Sequence, residues 1–69
     1  MIKEITWIAR LESENRIILI VAPEEYDVLP IAKERLGEDV KLINGGDRER
    51  FTITVYPLWW KLPEDRIFI

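Results

Sequence analysis

The sequence predicts an α+β domain, an antiparallel sheet of four to five strands with one helix packed on it, in the order ββαββ(β). Three observations predict it. Residues 2–12 alternate between apolar and polar side chains, the period of a half-buried strand. Residues 16–22, RIILIVA, form an unbroken apolar run. Residues 23–37 then switch to helical spacing between a proline and a glycine. The 69 residues make one domain, 1–69, whose last part, 57–69, is an aromatic C-terminal segment.

In the first strand Ile5, Trp7, Ala9 and Leu11 fall on one face, and Glu4, Thr6, Arg10 and Glu12 on the other, with Ile8 the exception. ESEN, residues 12–15, is a polar turn. The run 16–22 reads as a second strand covered on both faces. One cover is the helix, and a neighbouring chain is a candidate for the other.

In PEEYDVLPIAKERLG, Val28, Leu29, Ala32 and Leu36 form one stripe and Gly37 is a C-terminal stop. Pro30 inside a helix would cost about 3 kcal/mol. With Asp27 as the N-cap, Pro30 falls in the first turn, where no amide hydrogen bond is lost. The reading is therefore a turn over 23–26 and a helix over 28–36. Residues 39–44 form a third strand, NGGD (44–47) a hairpin turn, and 50–57 a fourth strand. DRIFI, at the end, is a candidate fifth.

Composition narrows the function. A chain this short buries only about 60% of its unfolded surface, so its stability margin is thin. There is no cysteine and no histidine, which excludes disulfides, thiolate metal sites and the commonest base and metal ligand. Only carboxylates remain as metal ligands. Charged residues make up 33% of the chain, a thermophile-like composition that an idealised designed sequence shares. The net charge is −3. Residues 23–43 carry six acidic and three basic side chains, and the flanking segments are balanced, so no basic block marks a nucleic-acid site. No signal peptide or span is recognisable, and a cytoplasmic location without membrane attachment is expected.

No catalytic arrangement emerges. The single serine, Ser13, lies in a turn without a base. Glu24, Glu25 and Asp27 suit the positive end of a helix better than a carboxylate pair. The expectation is a non-enzymatic protein with no catalytic residue, metal or cofactor.

The stretch NRIILIVAPEEYDVLPIAKERLGEDVKLI, residues 15–43, resembles the AbrB/SpoVT family of swapped-hairpin DNA-binding domains. Arg16, Pro23, Leu36-Gly37 and Asp39 stand in places similar to that family's motifs. Asn15 stands where the family has glycine, and Pro23 follows Arg16 at a longer spacing. The resemblance implies an interlocked homodimer, a transcriptional regulator holding DNA through Arg10, Arg16, Arg48 and Arg50. Outside that resemblance, the bland role of these arginines is to solvate strand edges and turns.

The tail, VYPLWWKLPEDRIFI (55–69), carries most of the functional signal. Chain ends ordinarily carry polar residues. Here Trp59-Trp60 distantly resembles the aromatic pair of the sliding-clamp-binding peptide box, although Ile53 and Tyr56 replace its glutamine and aliphatic residue. Adjacent side chains of an extended segment point to opposite faces, so burying both tryptophans requires cover on both sides. The first expectation is a protein-binding or regulatory module, self-associating as a homodimer or holding another protein through Tyr56, Trp59, Trp60 and Phe68. The DNA-binding homodimer is the alternative.

Overall fold

The computed structural model of the chain describes residues 3–51 and 62–69. The elements are β1 (Glu4–Leu11), β2 (Arg16–Pro23), α1 (Leu29–Arg35), β3 (Lys41–Asp47) and β4 (Arg66–Phe68). They form an α+β fold, with α1 on a four-stranded sheet of order β3-β1-β2-β4.

β1 and β2 form a hairpin in continuous register from Glu4↔Pro23 to Leu11↔Arg16. ESEN supplies its turn: Glu12–Glu14 make one 3-10 turn, and the Asn15 amide donates to the Glu12 carbonyl at 3.1 Å. Asn15 lies at φ 51°, ψ 49°. Asparagine enters this left-handed region more readily than other side chains, so it can stand in place of a glycine.

β2 is buried along nearly its whole length. Ile18, Ile20 and Ala22 join Ala9, Leu11, Val28, Ala32, Leu36 and Val40 in the larger core, under the helix. Ile17 and Leu19 join Ile8 in a second core on the opposite face, with Ile43 and Phe51 packed against it. The second face of β2 is thus covered within a single chain, and no neighbouring chain is needed to bury it. The same second core explains why Ile8 breaks the alternation of β1.

Pro30 lies in the first turn of α1. Asp27 is not the N-cap: that position is Val28, which makes no side-chain cap bond, and Asp27 instead closes an Asx turn just before the helix, its Oδ1 accepting from the Leu29 amide at 3.1 Å. Val28, Ala32 and Leu36, spaced four apart, are the buried stripe. Gly37, at φ +145°, ends the helix and leads into β3.

Two further expectations need correction. NGGD is not a hairpin turn. β3 runs through it, pairing with β1 from Arg10↔Lys41 to Ile5↔Asp47, and the register slips by one residue opposite Thr6. Asn44 Oδ1 accepts from the Gly46 amide at 2.7 Å, and Gly46 sits at φ +89°. This chemistry makes a bulge as readily as a turn. The chain turns instead at residues 48–50, where the Arg50 amide donates to the Asp47 carbonyl at 3.0 Å.

The sheet is also not wholly antiparallel. β4, the DRIFI strand, pairs with β2 in parallel, Leu19↔Arg66 to Val21↔Phe68. Because β1 runs antiparallel to both β2 and β3, strands β2, β3 and β4 share one direction. Joining β3 to β4 therefore needs a long return connection rather than a tight hairpin. Phe51 and Leu62 bound the described ends of that connection. Of the expected fourth strand, Arg50 is in the turn and Phe51 is outside any strand, while residues 52–57 lie outside the described residues.

Two substitutions test these local causes. A Cβ on Gly45 would sit 2.8 Å from the Thr6 carbonyl oxygen and 2.7 Å from the Phe51 ring. Gly45→Ala is expected to lose about 1–3 kcal/mol by forcing β3 from β1 or displacing the ring. Asp27→Ala should lose about 0.5–1.5 kcal/mol through the missing Asx-turn hydrogen bond to the Leu29 amide. Urea unfolding of each variant measures both values.

Candidate functional site

The second face of the sheet holds the candidate site. Residues opposite one another on paired strands share a face. Thr6 lies opposite Val21 on β2, and Val21 lies opposite Phe68 on β4. On the other side of Thr6 is the Gly45-Gly46 bulge of β3. A row of small side chains thus crosses the sheet and ends at the larger Phe68. Phe51, Arg48 and Arg66 rise around it. Together Thr6, Val21, Arg48, Phe51, Arg66 and Phe68 line a cleft of about 250 Å³.

The floor is held by the sheet. Thr6 and Val21 are each 3% exposed. Arg48 is fixed from two directions. Its amide donates to the Glu4 carbonyl at 3.0 Å, and its Nη1 donates to Glu4 Oε1 at 3.0 Å. Its guanidinium carbon then lies 5.2 Å from the centre of the Phe68 ring, within cation–π range. Arg66 has its amide held by Asp65 Oδ1 at 2.8 Å, and its guanidinium has no ion pair among the described residues. Both charges that the described residues bring to the lining are positive, in a chain of net charge −3.

The four arginines singled out from the sequence are not gathered together. Arg10 and Arg16 lie at the turn end of the β1–β2 hairpin, and Arg48 and Arg50 at the other end. Eight extended residues separate the two ends by roughly 24 Å. Arg10 pairs with Glu12 at 2.6 Å, and Arg16 Nε lies 3.1 Å from Glu64 Oε2. With Arg48 bound to Glu4, three of the four sit beside carboxylates.

Of the aromatic candidates, Phe68 is exposed at the sheet edge (57%), while Tyr56, Trp59 and Trp60 lie outside the described residues. The structure brings Phe68, chosen as a protein contact, against Arg48, chosen as a DNA contact. Sequence reading missed Thr6, Val21 and Arg66 as site residues and gave Phe51 only a place in a strand. Each looks ordinary in its own segment, and only the pairing of three strands makes them neighbours. No group of three acidic side chains able to hold a metal ion occurs among the described residues, and no helix among them is long and apolar enough to cross a membrane.

No protein-family model, curated protein or solved structure matches this chain.

A double-mutant cycle on Arg48→Gln and Phe68→Leu is expected to give a coupling of about 0.5–1 kcal/mol, the range of an exposed cation–π pair. Additive effects in thermal or urea unfolding would mean that the contact contributes nothing to stability.

Proposed function

We propose that this chain is a small non-enzymatic binding module of the cytoplasm that self-associates through its C-terminal segment. One observation carries the reading. Of the four exposed large hydrophobic residues among those described, three belong to the last eight positions: Leu62 (77%), Phe68 (57%) and Ile69 (41%). The fourth, Tyr26, stands alone in the turn before α1. Apolar side chains concentrated in one exposed segment mark a contact surface, whereas scattered ones need no explanation.

The backbone supports the same reading. β4 is three residues long and, among the described residues, lies at the edge of the sheet with one side on β2. Edge strands accept further strands, and an added strand would meet the alternating side chains of β4. Tyr56, Trp59 and Trp60, outside the described residues, are proposed as further contacts on residue type alone, since aromatic residues are favoured anchors at interfaces. The partner is a second copy of the chain, in keeping with the help that small domains draw from oligomerisation.

The alternative, a DNA-binding homodimer like the AbrB/SpoVT proteins, draws less support. Its arginines are divided between two ends of a hairpin, and most are engaged by carboxylates. Few phosphates could be neutralised by such an arrangement.

Sedimentation over a range of protein concentrations tests the proposal. A reversible dimer is expected, weakened by about 2–4 kcal/mol in Phe68→Glu, the range of an interface hot spot. Far-UV circular dichroism should be unchanged, because Phe68 is mostly exposed. A chain that stays monomeric to millimolar concentration would overturn self-association. Tight, steeply salt-dependent binding to duplex DNA, lost in Arg16→Ala and Arg50→Ala, would establish the alternative instead.

A further inference from the structure

The cleft on the second face shares Phe68 with the proposed contact surface, but its guanidinium groups and buried floor have a chemistry that self-association does not use. Its floor is made of small side chains, Thr6 and Val21, and its walls of two phenyl rings and two guanidinium groups. Among the described residues no carboxylate lines it. Residues 52–61 contain no Asp or Glu, so the intervening segment has none to add. Among the described residues, the carboxylate paired with a lining arginine is Glu4, held by Arg48 at 3.0 Å. Arg66 has no ion pair among the described residues, and buried Thr6 places a hydroxyl-bearing side chain beside both arginines.

We propose that this cleft is a binding site for a small aromatic anion, a single flat ring bearing a carboxylate or phosphate. Three physical arguments specify that class. A cavity of about 150 Å³ holds a benzene ring, and drug-sized ligands occupy about 300 Å³ or more. At about 250 Å³ the cleft fits one ring with one charged substituent. Guanidinium groups bind carboxylate and phosphate oxygens through paired N–H donors, so the charged end lies on Arg66. Arg48, over the Phe68 ring at 5.2 Å, then forms the rim where that phenyl and Phe51 receive the ring of the ligand. A ligand lacking either half gives up one of the two contacts. The proposal does not depend on self-association, because every lining residue belongs to one chain.

Titration of the full chain, followed by amide and methyl NMR shifts, tests this with four probes. Benzoate and phenyl phosphate should shift Thr6, Val21 and Phe68 with sub-millimolar dissociation constants. Their comparison tells which anionic group is preferred. Benzyl alcohol, which has the ring without the charge, and inorganic phosphate, the charge without the ring, should bind at least about tenfold more weakly. Arg66→Gln should lower benzoate or phenyl phosphate affinity about tenfold. Arg35→Gln, on the helix, should leave it unchanged. Inorganic phosphate binding as well as phenyl phosphate would reduce the cleft to a patch of charge and overturn the proposal. So would shifts that are absent, that spare Thr6 and Val21, or that survive Arg66→Gln. A protein found to be monomeric by sedimentation would leave these outcomes as informative as before.

Discussion

Everything else in this fold follows from the need to bury one strand on both faces. β2 presents Ile18, Ile20 and Ala22 to one side and Ile17, Leu19 and Val21 to the other, and all six are at most 4% exposed. Burying a large aliphatic side chain contributes about 1.5–3 kcal/mol, so neither face can be left to water in a chain with so thin a margin. A single seven-residue helix covers one side. The other side is closed by the same chain, with Ile43 and Phe51 against it. The long passage from β3 to β4 is a consequence of that demand. β4 runs parallel to β3 and on the far side of β2, a place that a tight hairpin after β3 could not supply.

This dependence explains what was legible in the sequence. The hairpin, the helix with its first-turn proline, and the double burial of β2 are written locally, in spacing and in residue type, whereas the cap was misplaced by one residue, from Val28 to Asp27. The final strand was legible as a strand. Its direction was not, because nothing in RIF records whether its neighbour runs with it or against it. NGGD misled for a related reason. Asn-Gly chemistry specifies a backbone with positive φ, and such a backbone serves a hairpin turn or a bulge within a strand. Only the presence of β1 alongside decides between them, and that is tertiary information.

The candidate site was less legible than the fold. Phe68 and Arg48 were each noticed, but for different functions, and Arg66 not at all. Their proximity arises from registers on both sides of β2 and from the hold of Glu4 on Arg48. Charge counting was more dependable as a guide to what is missing than to what is present. Basic residues that look available in the sequence sit beside carboxylates at 2.6–3.1 Å in three of four cases. Exposed pairs of this kind add about 0–1 kcal/mol each, so they matter more for where positive charge remains than for stability.

The parallel pairing of β4 has a kinetic consequence. β1 and β2 can zip together from their four-residue turn, while β4 must find β2 from more than forty residues away, at the cost of closing a long loop. The terminal strand is therefore the last part of the sheet to assemble and the first to come away. While it is away, the outer edge of β2 is uncovered, and the Leu19 amide loses its bond to the Asp65 carbonyl (3.0 Å). Amides on that edge should exchange with solvent faster than those facing β1, through a local opening well below global unfolding. The opened species would present a long, flat aliphatic strand with free donors and acceptors, the form in which sheet proteins aggregate. The Arg16–Glu64 pair, set where the segment leading into β4 meets the start of β2, is partly exposed and opposes that opening by no more than about 1 kcal/mol.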